Sequence, residues 1–251
     1  VVYGIPSFVL EKDIVAAEID ILREMGVEFK TGVEVGKDIT LNQLREDGYE
    51  AFYIAIGCQG GRKINVPGED ADGVMTGVDF LHITTDDENY KLAGDTVVIG
   101  GGNVAIDVSR SAVRCDSANV YQVSLETRDI MPALPEEIEL AESEGIKFHG
   151  GWGPKEILTE NGKVTGIVFK KCTQVKNAEG RFDPLYDESD TMTIPCSNVI
   201  LSVGQGTVWG DLLKDEAVEF RGPAPIADPV TYQKMADAII AQSQELDVQK
   251  R

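Results

Sequence analysis

From Asp13 onward, the apolar residues Ile14, Ala17, Ile21 and Met25 recur at helical spacing, and Gly26 follows where a C′ glycine belongs. The pattern predicts a helix from an Asp13 N-cap to Met25. Pro6 to Glu11, before it, reads as extended, and Val27 to Thr31, after it, alternates like a strand. Thr40 to Asp47 is predicted as a short helix ended by Gly48. The continuous apolar run Ala51 to Ile56, closed by Gly57, is predicted as a strand buried on both faces. A polar stretch, Thr84 to Gly94, then marks a domain junction.

Beyond the junction, Thr96 to Ile99 reads as a buried strand, followed by Gly100-Gly101-Gly102 and an amphipathic helix from Asn103 to about Cys115. Asn119 to Leu125 is a second strand. Pro135 to Glu144 is a helix with proline at its start, acidic residues in its first turn and Gly145 at its end. Ile146 to His149 is a third strand. Asn161-Gly162 marks a hairpin between Ile157–Glu160 and Lys163–Lys171. A polar loop, Asn177 to Asp190, leads to a buried strand, Asn198 to Val203, closed by Gly204. Alternating strands and helices predict an α/β chain with a mainly parallel, doubly wound sheet. The strands at Tyr53–Gly57 and Ile200–Gly204 echo one another, as two nucleotide-binding folds of one plan would.

Composition narrows the function classes. With 23 basic and 43 acidic residues the net charge is −20, so the chain repels phosphate backbones and nucleic acid is excluded as a partner. No apolar run approaches the roughly 20 residues of a membrane span. The four cysteines (Cys58, Cys115, Cys172 and Cys196) are far apart, which predicts reduced thiols in a cytoplasmic protein and no metal site. His82 and His149 read as surface or strand-end residues. The chain opens Val1-Val2-Tyr3 and is expected to be a fragment of a longer one.

The central motif is Gly100-x-Gly102-x-x-Ala105, directly after a strand and opening a helix. Its first glycine permits the tight turn, and its second lets a pyrophosphate reach the backbone. The small third residue lets helix and strand pack closely. Free N–H groups and the helix dipole then face the phosphates, which makes Gly100, Gly101, Gly102, Asn103 and Val104 the candidate cofactor-binding residues. Glu126, 21 residues past Ala105, stands where a carboxylate accepts hydrogen bonds from the adenosine ribose and repels a 2′-phosphate. Arg128 pulls the other way, and the balance favours NAD(H) over NADP(H).

Several stretches carry a further likeness: Tyr3-Gly4-Ile5-Pro6-Ser7-Phe8 with Lys12, Ala55-Ile56-Gly57, Val66-Pro67-Gly68-Glu69-Asp70, Val98 to Asp107, Met131-Pro132-Ala133, Gly180-Arg181, Val199 to Gln205 and Ala227 to Thr231. In these the chain resembles the small (beta) subunit of glutamate synthase and related FAD-dependent pyridine-nucleotide oxidoreductases. The resemblance implies a Rossmann-like, doubly wound NAD(P)-binding domain inserted in a partial FAD-binding domain. Residues 1–92 and 204–251 would be flavin segments, and 93–203 the nicotinamide domain. Gly204 would lie at the nicotinamide site, Gly4, Ile5 and Pro6 near the flavin ring, and Gly57 at the crossover. It also implies FAD in the complete protein, and electrons passing from NAD(P)H through flavin to iron–sulfur centres, on a larger redox subunit or an iron–sulfur domain. Where relatives carry paired arginines, this chain has Leu125-Glu126. A leading glycine loop and a late Gly-Gly-Asp segment are absent, and Lys234 to Ala241 reads as an amphipathic helix instead, so the chain alone is expected to bind FAD poorly. The alternative is a non-catalytic nucleotide-binding or subunit-interaction protein.

Overall fold

The computed structural model of the chain describes residues 1–222 and 224–226. The match at Ala227 to Thr231 and the helix expected over Lys234 to Ala241 lie outside them. The contacts divide the chain into two units, one of Val1–Ile19 with Gly61–Gln205, the other of Asp20–Gly60 with Gly206–Arg251.

The first unit is built on a five-stranded, all-parallel sheet. Its strands are β1 (Val74–Thr76), β2 (Thr96–Ile99), β3 (Val120–Ser124), β4 (Lys147–Gly150) and β8 (Asn198–Leu201), in the order β1-β8-β2-β3-β4. Three more strands, β5 (Trp152–Glu160), β6 (Lys163–Lys176) and β7 (Phe182–Pro195), form an antiparallel sheet of their own. The helices are α3 (Gly77–Asp86), α4 (Asn103–Arg114) and α5 (Pro135–Ser143).

Side-chain alternation along the central strands fixes the layers, because successive residues of a strand face opposite ways. Val98 and Ile200 point to one face and pack with Phe80 of α3, Ile106 and Val108 of α4, and Ile138 of α5. Val97, Ile99, Val199 and Leu201 point to the other, where Ile157, Ile167, Phe169 and Ile194 of the antiparallel sheet meet them. A mainly parallel α/β sheet therefore stands as expected, with helices on one face and a β-meander on the other.

Local signals are realised where they are self-contained. Asn161 and Gly162 take φ of 52° and 79° between β5 and β6, the left-handed pair a two-residue hairpin needs. Other expectations fail. The polar segment Asn177 to Asp190 is loop only at its start, because β7 begins at Phe182. As the outer strand of its sheet, paired only with β6, it keeps a polar, largely exposed face. Thr84 to Asp86, assigned to a junction, are the last turn of α3, where the Thr84 and Thr85 hydroxyls donate to the Leu81 carbonyl. Pro6 to Glu11 is not extended but turned, with the Val9 and Leu10 amides donating to the Pro6 carbonyl.

The helix α1 (Lys12–Glu24) starts one residue before the expected Asp13 cap, and Ile14, Ile21 and Met25 are exposed. In the second unit, α2 (Leu41–Glu46) opens with the Thr40–Gln43 capping box, in which each side chain accepts from the other residue's amide. Val27 to Thr31 and Ala51 to Ile56 are not strands. A strand needs a neighbour for its amides and carbonyls, and among the described residues none pairs with these. Tyr53 is accordingly 95% exposed. Among the described residues, no helix is long and apolar enough to cross a membrane.

One carboxylate in the first unit carries a pH signature. Asp107 on α4 is pushed up to about 6 by burial and by the charge of Glu137, against the opposing pull of Arg110. The folded state thus holds this proton more tightly than the unfolded chain. Its contribution is fully present below the ordinary value of 3.8 and lost as pH rises through about 6. Asp107→Asn is expected to stabilise the fold near neutral pH by about 1 kcal/mol, the figure being discounted for partial exposure. In urea titrations the gain should shrink toward about pH 4; a gain that grows instead would refute the assignment.

Candidate functional site

The carboxyl ends of β2, β3 and β8 open into a cleft of about 810 Å³ in the first unit. Chain order places it where ligands bind in open parallel sheets. From β2 the chain crosses through α4 to β3 on one side, while β8 flanks β2 on the other, and the crevice lies at that switch.

Gly100 makes the turn from β2 into α4 at φ 146°, and a Cβ there would lie 2.4 Å from the Ser202 carbonyl oxygen. Buried Gln122 of β3 holds this turn from below, its amide donating to the Gly100 carbonyl at 3.1 Å while it accepts from Ser109 at 2.9 Å. The Gly101 carbonyl accepts from the Ala133 amide, and the Asn103 side chain accepts from the Leu134 amide at 2.8 Å. The carbonyls are thus tied down on the protein side. The amides of Gly101, Gly102, Asn103 and Val104 find no acceptor among the described residues. Gly102 is the N-cap of α4 without a side-chain cap, and a Cβ there would meet nothing within 4 Å. Free amides at a helix N-terminus, beside a bare backbone, are the donor set a pyrophosphate needs.

Glu126 lies at the β3 side of the cleft, where Gly101's missing Cβ would stand 3.0 Å from its carboxylate. Its backbone is fixed by the Ser124 hydroxyl at 2.8 Å and the Gly151 amide at 3.1 Å, both donating to its carbonyl. Gly204 lines the opposite, β8 side. The structure therefore gathers Gly100, Gly101, Gly102, Asn103, Val104, Glu126 and Gly204 around one cleft. Arg128 is not among its lining residues. Its guanidinium pairs with Glu142 at 3.2 and 3.3 Å, a tertiary partner 14 residues on that the local sequence does not reveal.

The four residues assigned to flavin divide between the two units. Gly4, Ile5 and Pro6 lie in a turn of the first unit, pinned by the Lys12 ammonium donating to the Ile5 carbonyl. Gly57 belongs to the second unit. Nearby, Tyr3 stacks flat on His82 at 3.9 Å, and His82 pairs with Asp86 at 3.0 Å. Sequence reasoning also missed part of the cleft wall: Trp152 and Pro154 of β5, Lys170 of β6, Tyr186 of β7, and Ser202, whose hydroxyl is buried without a partner among the described residues. Only the period-two alternation of β5 to β7 could have hinted at the first four.

The family model for pyridine nucleotide-disulphide oxidoreductases matches residues 34–223. The chain belongs to that family. It is 34% identical over 245 residues to the NADP(+)-dependent formate dehydrogenase subunit beta of Moorella thermoacetica, covering 95% of this chain and 34% of that protein. It is 31% identical over 215 residues to the glutamate synthase [NADPH] small chain of Escherichia coli, covering 80% of this chain and 45% of the relative. The chain thus spans less than half the length of these relatives. Among solved structures, Mycobacterium tuberculosis FprA in complex with NADPH superposes with a TM-score of 0.67 at 21% identity, over 82% of this chain and 61% of that one.

Proposed function

We propose that this chain is the nicotinamide-dinucleotide-binding, electron-input part of a flavin-dependent NAD(P)H oxidoreductase. The observation that carries the reading is the glycine turn. Its carbonyls are all engaged, while the amides of residues 101–104 stand open on a cleft at the switch of a parallel sheet. In this family reading a bound nicotinamide would supply a hydride to FAD in the complete protein, for passage to iron–sulfur centres or a partner subunit. The residues of this chain bind and orient the dinucleotide. The amides at the start of α4 would hold the pyrophosphate, Glu126 on the β3 side the adenosine, and Gly204 on the β8 side the nicotinamide half.

Residues 93–203 form the nicotinamide domain in this proposal, and 1–92 with 204–251 the flavin segments. The assignment of Gly4, Ile5, Pro6 and Gly57 to the flavin rests on resemblance alone. The four free cysteines fit a cytoplasmic setting.

Glu126 supports a preference for NADH. Its carboxylate accepts from a free 2′-hydroxyl and repels a 2′-phosphate, while Arg128 is held by Glu142. The named relatives carry NADP(H) and lend this preference no support; it rests on this chain's own residues. NADH is expected to bind more tightly than NADPH by about tenfold, about 1.4 kcal/mol. Glu126→Arg should narrow or reverse the gap, most visibly at low salt. Fluorescence titration with both nucleotides tests the reading. Failure of both to bind would overturn the function, and a preference for NADPH would overturn the role of Glu126.

A further inference from the structure

The β-meander brings a lysine to the adenosine side of the cleft. Lys170 of β6 pairs with Gly153 of β5 in the ladder, and Gly153 packs against both Leu125 and the Tyr186 ring. A Cβ on Gly153 would lie 2.4 Å from that ring and 3.0 Å from the Leu125 side chain. Leu125 is the neighbour of Glu126, and both line the cleft with Lys170 and Tyr186. The Lys170 ammonium sits 4.3 Å from the centroid of the Tyr186 ring, its side chain only 21% exposed.

Lys170 is held at 2.6 Å by Glu188, a residue of exposed β7. Glu188 has a second cation: Lys155 stands 3.4 Å from its other carboxylate oxygen. If Lys170 turns away from Glu188, the carboxylate keeps a partner and no charge is stranded. Lys170 can therefore be recruited by an anion in the cleft at small cost. Lys63, another lysine of the cleft lining, is bound to Asp70 at 2.5 Å, and the Asp70 carboxylate has no second cation among the described residues.

We propose that Lys170 is the cleft's acceptor for a phosphate on the adenosine 2′-oxygen, with Glu188 as the carboxylate that holds it in reserve. Glu126 and Lys170 then act on the same substituent with opposite sign. The carboxylate favours the free hydroxyl and the ammonium favours the phosphate monoester. The cleft would discriminate against NADPH without excluding it, and the Lys170–Glu188 pair would set how far. A lysine suits this task, since a point charge on a flexible stem can leave one carboxylate for another anion. This inference rests on the dinucleotide reading of the same cleft.

The test is the ratio of NADPH to NADH affinity, measured by fluorescence titration of the full chain at low and high salt. Lys170→Met keeps the apolar stem against Tyr186 and removes the charge, and should lower the ratio by about fivefold, the range of a partly exposed ion pair. Glu188→Gln frees the ammonium and should raise the ratio by about threefold. Lys170→Arg retains the charge and should keep the ratio, which also guards against a loss of folding in the methionine variant. Both shifts should fade as salt is raised. A ratio the same in Lys170→Met as in the unaltered chain would overturn the role of Lys170, as would an equal loss of both nucleotides. If neither nucleotide binds the unaltered chain, the dinucleotide reading itself falls.

Discussion

Gly102→Val is expected to abolish most dinucleotide affinity while leaving the fold intact, and Gly100→Val to do the reverse, unfolding the domain before binding can be asked about. The two positions differ by two residues and by everything that surrounds them. Gly102 has φ −94° and ψ 175°, a conformation valine adopts freely, and a Cβ there meets nothing within 4 Å. As an N-cap without a side-chain hydrogen bond it loses little when replaced, about 1 kcal/mol or less. The open space is where the pyrophosphate must approach, so a branched side chain should weaken NADH by on the order of 100-fold, about 2.7 kcal/mol. At Gly100, φ is 146°, and a Cβ would stand 2.4 Å from the Ser202 carbonyl oxygen and 3.2 Å from the Ala105 methyl. Backbone strain and overpacking together should cost about 3–5 kcal/mol. Urea unfolding and NADH titration of both variants separate the effects. Unaltered NADH affinity in folded Gly102→Val would mean that the nucleotide does not lie over α4.

What the sequence made legible is what short-range chemistry decides. The Asn161-Gly162 hairpin, the short helix after Thr40 and the glycine turn after β2 each need only a few adjacent residues, and each is present. The buried strands Thr96–Ile99 and Asn198–Leu201 were readable because both faces are apolar. Ala51 to Ile56 shows the limit of that rule. An apolar run is a strand only if a neighbour takes its backbone hydrogen bonds, and a neighbour is not a local property. Phe182 to Pro195 shows the converse, a polar run made into a strand by β6 alongside it. In the site, Glu126 could be found by counting from the glycine motif. The engagement of Arg128 by Glu142, and the arrival of Lys170 beside Leu125 through Gly153, depend on tertiary contacts that no spacing encodes.

In the second unit, Glu216→Ala is expected to cost about 3–5 kcal/mol, because it strands a buried guanidinium. Arg45 of α2 donates through two nitrogens to the two carboxylate oxygens of Glu216, each at 2.9 Å, with side chains 4% and 2% exposed. Asn42 accepts at 2.6 Å, and the guanidinium lies 5.4 Å from the centroid of the Phe52 ring. Its remaining nitrogen, Nε, is buried without a partner among the described residues, so the pair carries an incompletely met desolvation cost even when whole. Losing one partner and losing both should therefore differ. Either single alanine variant leaves a charge in the interior, whereas Arg45→Met with Glu216→Leu replaces the pair by apolar volume and should recover most of the loss. The partners are 171 residues apart, and their bond ties the segment before Gly61 to the one after Gln205. Denaturant unfolding of Arg45→Met, Glu216→Leu and the double variant closes the cycle and gives the coupling directly. Single losses below about 1 kcal/mol would show the pair to be solvated and would remove it as the staple of this unit.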